Sequence, residues 1–524
     1  MASVATPAPK LRVGVFADTP RQPRWLVEAL AKVSASDYAE IVAIRVGENR
    51  GQANVSKQTA NRGLSPALWN AYSRLDRMLF APGADRCELQ EIGPLAGSTR
   101  RNEAAEDLDL DVAFTIGDVD DAAIARHARC GAWRYAFGDA TSEALAGIPE
   151  AIAAQPVTAT AIRIRARDGR DRLACESWTR TRAFSPAQSR DNLFAKASDL
   201  LARALRELRF AGPRWLDEGT VPAPEPRGDG FPGLLGLARV GGRVAARAAE
   251  RLLTVGQWSL AFRFAATESW DGGLEGFHRL TPPPDRFWAD PFPIQALGRN
   301  FIFFEELPFR AGKAHISMVE VDREGRASAP VRVIERDYHL SYPFLVEDGG
   351  ALYMIPESAG NRTVEAYRCV EFPHRWRFER VLLDDVFLAD ATPVRVRDRW
   401  WMFANGAPEG ADINDELNLY SSRALLGEWT PHERNPVKSD VRSSRPAGAL
   451  FRHAGELHRP AQICAPIYGG GIVVNRVTRL DAGGFAEEEV RRILPAGGAV
   501  LGLHTINRAG DLSATDAFVR RRRF

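Results

Sequence analysis

The sequence predicts an α/β domain with a parallel sheet over residues 1–215 and an all-β five-bladed β-propeller over residues 258–524. Strand and helix patterns alternate in the first part, which is typical of a parallel sheet covered by helices. In the second part, short strands recur in a unit of about 50 residues, which is typical of propeller blades. The chain of 524 residues is also too long for one ordinary hydrophobic core.

The elements of the first part follow one another as strand, helix and strand. An apolar run at Leu11–Phe16 predicts a buried strand, and the residues from Trp25 to Leu30 predict an amphipathic helix. Further strands are expected at Glu40–Val46 and Leu108–Ile116, and a long helix is expected at Arg190–Leu208. This alternation predicts the parallel sheet.

Residues 216–257 separate the two domains as a linker rich in proline and glycine followed by a basic helix. In that helix four arginines recur every four residues beside apolar residues, namely Arg239, Arg243, Arg247 and Arg251. One interpretation is a helix packed on its own protein with solvated arginines. The other is a peripheral membrane contact, in which the arginines attract anionic lipid.

The propeller repeat is anchored on four prolines that lie 52, 50 and 53 residues apart, namely Pro291, Pro343, Pro393 and Pro446. A degenerate fifth member occurs at Leu503–Ile506. This last unit is short, and an open ring would leave strand edges unpaired. We therefore expect a strand at Trp258–Phe264 to complete the fifth blade and close the ring.

The first strand of each blade lines the central channel, so the repeat brings distant segments to one site. The positions before the aligned prolines are polar and differ between blades: Asp290, Tyr342, Thr392 and Arg445, with His504 in the degenerate unit. A repeat used only for folding is expected to carry the same small residue at these positions. We therefore expect a functional site at the entrance of the channel.

Three carboxylates near the channel are candidate catalytic residues: Asp290, Glu357 and Asp390. Cleavage or transfer at a glycosidic bond needs a protonated acid on the leaving oxygen and a carboxylate that acts as base or nucleophile. A third carboxylate often orients or tunes this pair. The alternative interpretation is that the Asp-Pro sequence only caps a blade turn.

Other polar and aromatic residues of the repeat are candidate substrate-binding residues. Arginines such as Arg445 and Arg459 clamp carboxylates or phosphates with two parallel hydrogen bonds, and aromatic rings offer stacking faces for sugars. The predicted set is Trp288, Tyr342, Asn405, Arg445, Arg459, Gln462, Tyr468 and His504. For the neighbouring tryptophans Trp400 and Trp401, which offer similar faces, packing between blades is the alternative.

Composition excludes several classes of protein and partner. Sixty-nine Lys and Arg residues balance sixty-seven Asp and Glu residues along the chain, which argues against nucleic acid as a partner. The five cysteines are scattered and form no C-x-x-C motif. This pattern predicts reduced thiols and a cytoplasmic protein.

Several expected motifs do not occur in the sequence. Residues 1–10 lack the apolar stretch of a signal peptide, and no apolar run of about 18 residues occurs, so we expect neither standard export nor a membrane span. Ligand spacings typical of metal sites are missing as well. We therefore expect no metal and no other cofactor.

Segments of the repeat resemble a known family: Phe287–Phe292, Tyr353–Ser358, Ala389–Pro393, Ser444–Gly448 and Arg459–Gln462. They are similar to the N-terminal domain of plant glucosamine inositolphosphorylceramide transferase and its bacterial relatives. That domain is similar in turn to five-bladed glycoside hydrolases of the arabinanase, xylosidase and fructosidase type. The resemblance covers residues 265–524 and implies that Asp290 is the base or nucleophile. It implies that Asp390 and Glu357 are, in either order, the stabiliser and the acid.

Residues 11–212 more weakly resemble the N-terminal domain of formyltransferases that use a formyl-folate donor. The resemblance lies in the opening strand and helix, in Asp109–Gly117, in Ala128–Trp133, and in Ser189–Asn192 before the last helix. That family uses an Asn-x-His pair, whereas the corresponding segment here, Trp133–Phe137, contains no histidine. The resemblance therefore implies a catalytically degenerate domain.

The leading hypothesis is a protein whose propeller acts on a glycosidic bond, by hydrolysis or glycosyl transfer, in surface polysaccharide or glycolipid metabolism. The first alternative is a glycan-binding or assembly protein without catalysis. The second alternative is formyl transfer to an amino sugar, which the missing histidine disfavours. A carbohydrate or glycolipid is thus the expected partner.

Overall fold

The fold is that of a computed structural model, which describes residues 9–47, 66–81, 83, 85–95, 108–140, 142–218, 221–222, 233–265, 274–495 and 497–523. Apart from the short segment Pro408–Ala411, the chain divides between Ala246 and Arg247 into two compact units. Much of the predicted linker, residues 223–232, lies outside the described residues. Within the described ranges, no helix is long and apolar enough to cross a bilayer.

The first unit combines a sheet with helices, as the alternating pattern predicts. Its strands are β1 (Leu11–Ala17), β2 (Arg21–Pro23), β3 (Ala39–Val46), β4 (Leu89–Glu91), β5 (Val112–Ile116), β6 (Ala132–Phe137), β7 (Val157–Arg165), β8 (Asp171–Arg180) and β9 (Val221–Pro222). Its helices are α1 (Arg24–Ser34), α2 (Pro66–Phe80), α3 (Asp121–Ala125), α4 (Ile148–Ala153), α5 (Pro186–Ala211) and α6 (Trp215–Glu218). Seven strands form one sheet in the order β3-β1-β5-β6-β7-β8-β9, and β2 pairs with β4.

The predicted parallel arrangement is found in part of the sheet, which as a whole is mixed. β3, β1, β5 and β6 run parallel, but β6, β7, β8 and β9 pair antiparallel. β7 and β8 are joined by a short turn in which Gly169 has a φ of +83°, and such turns connect only antiparallel neighbours. The Asp168–Gly169 pair between alternating strands is the sequence signal for this hairpin. The resemblance of the unit to formyltransferases stays a prediction.

The predicted basic helix is confirmed as α7 (Leu234–Leu253). Within the first unit, the guanidinium of Arg243 donates at 2.7–3.1 Å to three backbone carbonyl oxygens, those of Ala151, Ile152 and Ala183. Arg239 and Arg251 are exposed. The arginine stripe is therefore divided, because Arg243 binds the protein's own backbone while these two face solvent.

The second unit is a five-bladed β-propeller, as predicted. Before the first blade lie β10 (Thr254–Phe264) and β11 (His278–Leu280). Blade 1 contains β12 (Arg286–Ala296), β13 (Arg299–Pro308), β14 (His315–Val321) and β15 (Val331–Ile334), and blade 2 contains β16 (Ser341–Asp348), β17 (Ala351–Ser358), β18 (Thr363–Glu371) and β19 (Arg375–Leu383). Blade 3 contains β20 (Ala389–Val396), β21 (Arg399–Gly406), β22 (Glu416–Ser422), β23 (Thr430–Pro431) and β24 (Lys438–Ser439). Blade 4 contains β25 (Phe451–His453), β26 (Glu456–Gln462), β27 (Ile472–Asp481) and β28 (Gly484–Ile493).

The fifth blade closes the ring with a strand from the start of the unit. It contains β29 (Val500–Gly502), β30 (Ile506–Ala509) and β31 (Leu512–Arg522) together with β10 and β11. β10 pairs antiparallel with β31 along its full length, from Thr254 opposite Arg522 to Phe264 opposite Leu512. The prediction that Trp258–Phe264 completes this blade is confirmed. The first and last segments of the propeller are thereby tied together.

Candidate functional site

The inner strands of blades 1, 2 and 3 share a β-bulge. In each blade the register between the first and second strands shifts across two consecutive residues, and these two residues occupy equivalent positions in the three blades. The first of these residues has a φ of +51° in Asp290, +45° in Tyr342 and +54° in Asp390. Side chains other than glycine rarely adopt this left-handed conformation, and bulges often re-aim a side chain next to a functional site. The contacts of these three residues with other blades place them in the channel.

The bulges correct the sequence alignment of blade 3. Asp390, and not Thr392, occupies the place of Asp290 in the strand pairing. An alignment on Pro393 displaces this blade by two residues, because blade 1 carries a second proline, Pro293, at the matching position. The Ala-Asp dipeptide that blades 1 and 3 share is the better signal for the repeat.

Asp390 is held by two side chains of blade 4. Its carboxylate accepts hydrogen bonds from Arg445 Nε (2.6 Å), Arg445 Nη2 (3.2 Å) and Gln462 Nε2 (3.0 Å). The same guanidinium donates to Glu357 Oε2 (3.4 Å) and lies 5.1 Å from the ring centroid of Tyr468. Arg445 therefore joins two of the predicted carboxylates in one cluster.

Glu357 and Asp390 differ in environment although they share this arginine. The side chain of Asp390 is 1% exposed and that of Glu357 is 15% exposed. Burial, followed by the nearby carboxylate of Asp390, raises the pKa of Glu357 well above its usual range, and Arg445 opposes this rise only in part. The site therefore favours the protonated form of Glu357, whereas Asp390 makes the shorter contact with Arg445.

Asp290 belongs to a second cluster, which joins blades 1, 2 and 5. Its carboxylate accepts hydrogen bonds from Thr505 Oγ1 (2.6 Å) and from the Tyr342 amide (3.2 Å). The ring of His504 lies between two carboxylates, with Nε2 3.4 Å from Asp290 Oδ1 and Nδ1 2.5 Å from Asp516 Oδ2. Asp290, His504 and Asp516 are all buried. They form a chain of three titratable groups that leads to the channel.

This chain changes the pKa values of Asp290 and His504. Burial raises the pKa of Asp290 to about 7, although the charge of His504 works against the rise. Burial lowers the pKa of His504, but Asp516 and Asp290 outweigh it and raise that pKa to about 9. His504 is therefore protonated at neutral pH, where Asp290 changes its charge.

A metal ion is the alternative occupant of this cluster, since the ligand atoms of Asp290, His504 and Asp516 lie within 4.8 Å of one another. Both ring nitrogens of His504 face carboxylates, and the ring stacks on Trp258 with 4.0 Å between centroids. Metal binding requires the ring to lose a proton that the carboxylates hold in place. The protonated ring thus supplies the positive charge between the two carboxylates.

Sequence reasoning missed Asp516 and His339. His339 Nδ1 accepts a hydrogen bond from the Ala314 amide (3.2 Å), and its Nε2 lies 3.1 Å from Glu305 Oε1. Its side chain is 36% exposed, so it lies on the solvent side of the buried carboxylates. His339 stands in the loop before the inner strand of blade 2, where no repeat position marks it. Asp516 lies in β31, whose blade is degenerate in sequence.

Two further predicted binding residues lie in the channel and make internal contacts there. Tyr342 is fully buried, and its hydroxyl forms hydrogen bonds with Thr392 Oγ1 (2.9 Å) and the Gly448 amide (2.8 Å). Asn405 Nδ2 donates to the Ile413 carbonyl oxygen (3.0 Å). Among the described residues, the buried Oδ1 of Asn405 has no hydrogen-bond partner, so it is an acceptor available to a ligand.

Arg459 and Trp288 have partners elsewhere in the propeller. Arg459 is fully buried, donates to Glu487 at 2.7 and 2.8 Å, and donates to two backbone carbonyl oxygens. Trp288 packs on Phe304 in an apolar cluster, with 5.3 Å between ring centroids. The structure therefore brings Gln462, Tyr468 and His504 to the carboxylate clusters, whereas Arg459 forms an ion pair with Glu487 and Trp288 packs in an apolar cluster.

Residues 280–497 match the family described as glucosamine inositolphosphorylceramide transferase 1, N-terminal. The curated protein of that name from Oryza sativa subsp. japonica is 31% identical over 211 residues, which are 40% of this chain and 28% of that protein. The protein of the same name from Arabidopsis thaliana is 32% identical over 211 residues, with the same coverage. The chain thus spans less than a third of the length of these curated relatives.

Solved structures also align with part of the chain. The family 117 glycoside hydrolase Zg3597 of Zobellia galactanivorans is 14% identical, with a TM-score of 0.33, and the alignment covers 51% of this chain and 91% of that chain. The catalytic domain of the GH62 α-L-arabinofuranosidase of Coprinopsis cinerea is 11% identical, with a TM-score of 0.35, and the alignment covers 49% and 97%. The propeller assignment itself rests on the strand order given above.

Proposed function

We propose that the propeller channel acts on a glycosidic bond of a carbohydrate or glycolipid, by hydrolysis or by transfer to an acceptor hydroxyl. The observation that carries the proposal is the convergence of Asp290, Glu357 and Asp390 from distant parts of the sequence. Their charges act on one another, and Arg445 binds two of them. Glycosidic chemistry needs carboxyl groups in opposite protonation states, which these environments supply.

Glu357 is the acid in this proposal. Burial and the carboxylate of Asp390 raise the pKa of Glu357, and its side chain is 15% exposed, compared with 7% for Asp290 and 1% for Asp390. Glu357 is therefore the carboxyl group that a substrate oxygen can reach. It gives its proton to the leaving oxygen as the bond from the anomeric carbon to that oxygen breaks. Burial and the nearby carboxylate of Asp390 favour the protonated form of Glu357 before this step.

Asp290 is the base or nucleophile. As a base it takes the proton that the attacking water or acceptor hydroxyl loses, so Glu357 loses one proton and Asp290 gains one. A base works best when its pKa lies near the working pH, and the pKa of Asp290 is about 7. The positive charge of His504, 3.4 Å away, stabilises the anionic form of Asp290.

The matched relatives favour a glycolipid as the substrate. Their name, glucosamine inositolphosphorylceramide transferase, refers to an amino sugar and a glycolipid. We propose a substrate of this class for the channel. The segment that matches the family, residues 280–497, contains Asp290, Glu357, Asp390 and Arg445.

The substitution Glu357→Gln tests the proposed acid. It preserves the size of the side chain and removes the transferable proton, so turnover of a glycosidic substrate should fall by about 10²- to 10⁴-fold. The loss should be smaller for aryl glycosides whose leaving group needs no proton. Product release from a panel of furanosides, pyranosides and sugar nucleotides measures this. The control Glu371→Gln changes an exposed carboxylate of the same blade and should leave turnover unchanged.

A glycan-binding protein without catalysis gives a different result. In that case the wild-type chain binds sugars in calorimetry but releases no product, and Asp290→Asn keeps the same affinity. If the wild-type chain is active and Glu357→Gln retains full turnover on every substrate, Glu357 is not the acid.

A further inference from the structure

The end of α7 and the end of β31 form a surface that combines exposed leucines with arginines. Leu252 and Leu253 are the last residues of α7, and they are 70% and 60% exposed. Four consecutive arginines, Arg520–Arg523, occupy the end of β31 and the position after it. We call these residues, together with Arg251, the basic–apolar patch.

Backbone pairing fixes the two halves of the basic–apolar patch beside each other. β10 starts directly after α7, and its first residue, Thr254, pairs with Arg522. The Arg523 amide donates to the Leu253 carbonyl oxygen at 3.0 Å. The leucines and the arginines therefore belong to one surface of the second unit.

The basic–apolar patch has a surplus of positive charge. Of its five arginines, Arg520 lies 2.9 Å from Glu250 Oε1, and Arg521 donates to the Pro284 carbonyl oxygen. The other three, Arg251, Arg522 and Arg523, are exposed, and Arg523 Nε donates to the Thr254 carbonyl oxygen at 3.0 Å. Because the whole chain has a net charge of only +2, this surplus is a local property of the patch.

We propose that the basic–apolar patch binds the surface of an anionic lipid bilayer. Leu252 and Leu253 insert at the boundary of headgroups and acyl chains, and the arginines bind lipid phosphates. An apolar anchor alone or a basic cluster alone attaches a protein weakly, whereas the combination gives stable attachment. A nucleic acid would engage the arginines but leave both leucines exposed to water.

This proposal moves the expected lipid contact from the whole arginine stripe to one end of α7. Arg243 donates to three backbone carbonyl oxygens of the first unit, so it is not part of the lipid-binding surface. The inference does not depend on the chemistry of the channel. Its failure would leave the proposed glycosidic activity untouched.

Vesicle flotation of the full chain tests the proposal. The chain should float with vesicles of phosphatidylcholine that contain phosphatidylglycerol, stay unbound with pure phosphatidylcholine, and dissociate as salt increases. Leu252→Ser/Leu253→Ser and Arg522→Gln/Arg523→Gln should each weaken binding about tenfold or more. The control Leu234→Ser/Leu235→Ser changes two leucines of similar exposure at the other end of α7 and should bind within about twofold of wild type.

Three results would overturn the proposal. The first is wild-type chain that does not float with anionic vesicles. The second is unchanged binding after the Leu252→Ser/Leu253→Ser substitution, which would identify a general polyanion site. The third is an equal loss in the Leu234→Ser/Leu235→Ser control. Thermal unfolding of each variant shows whether it is folded. The lipid and salt dependence of the wild-type chain tests the proposal even where a variant does not fold.

Discussion

At the scale of single residues, two buried cations organise the carboxyl groups of the channel. Arg445 binds Asp390 through two nitrogens and also contacts Glu357, whereas the ring of His504 separates Asp290 from Asp516. Breaking a buried ion pair leaves an uncompensated charge, which is strongly unfavourable. The same cations that stabilise the site also oppose the rise that burial causes in the pKa values of Asp290 and Glu357.

His504 makes the stability of the propeller depend on pH. Its pKa is about 9 in the folded chain against an ordinary value of 6.5, so its stabilisation is complete below pH 6.5 and is lost as pH rises through about 9. This loss is on the order of 3 kcal/mol. In urea unfolding, His504→Gln should reduce stability strongly at pH 6 and much less above pH 9.

The matched control for this prediction is His374→Gln, which changes an exposed histidine in a hairpin of blade 2. Its stability should follow that of the wild-type chain at every pH. A His504→Gln effect of the same size at both pH values would show that the ring only fills space.

Asp290 could be located from the repeat because it stands directly before an aligned proline, whereas Asp390 lies two residues before the position that the proline alignment gives blade 3. Asp516 and His339 could not be located from the repeat, since one lies in a degenerate blade and the other in a loop. Arg459 illustrates the opposite error. Its position in the repeat indicates a ligand clamp, but its partner Glu487 lies on the next-but-one strand, β28, and no local pattern reveals that pairing.

At the scale of elements, β10 determines whether the ring is closed. Phe262 of this strand is fully buried in a cluster with Leu260, Phe304 and Leu512, which come from both ends of the propeller sequence. Phe262→Ala should therefore lower the free energy of unfolding of the propeller by about 3–5 kcal/mol. Denaturant titration followed by tryptophan fluorescence measures the change.

The control for this substitution is Phe378→Ala, which removes a ring that is 45% exposed in β19 of blade 2. It should cost less than about 1 kcal/mol. Equal costs for the two substitutions would contradict the role assigned to β10.

Sequence predicts the period and the closure of the propeller better than the register of its strands. The period appears because each blade repeats the same strands, and closure follows from the short fifth unit. The register of the strands depends on the bulges. A bulge shifts the pairing of two strands, but no residue type occurs only in bulges. Proline is therefore a poor anchor in blade 1, where Pro291 lies in the bulge and Pro293 lies in the paired strand after it.

At the scale of the whole molecule, each of the two units has its own hydrophobic core. This predicts two unfolding transitions in calorimetry. Phe194→Ala in the core of the first unit should lower the midpoint of one transition, and Phe262→Ala should lower the midpoint of the other. A single transition that both substitutions lower equally would contradict this division.

The division itself was predictable, because the sequence changes from alternating strands and helices to repeated strands. The mixed sheet of the first unit was predictable only in part. Its parallel half follows from the strand–helix alternation, whereas its antiparallel half depends on the Asp168–Gly169 turn. Such a turn is a local signal, and a prediction based on the alternation of strands and helices does not take it into account.

The position of a bound sugar tests the central claim most directly. A crystal structure of Asp290→Asn soaked with the panel of furanosides, pyranosides and sugar nucleotides provides it. We expect a sugar in the channel. Its glycosidic oxygen should lie about 3 Å from the carboxyl group of Glu357, on the side opposite residue 290. A sugar bound outside the channel, or one whose glycosidic oxygen lies beyond reach of Glu357, would contradict the proposed mechanism.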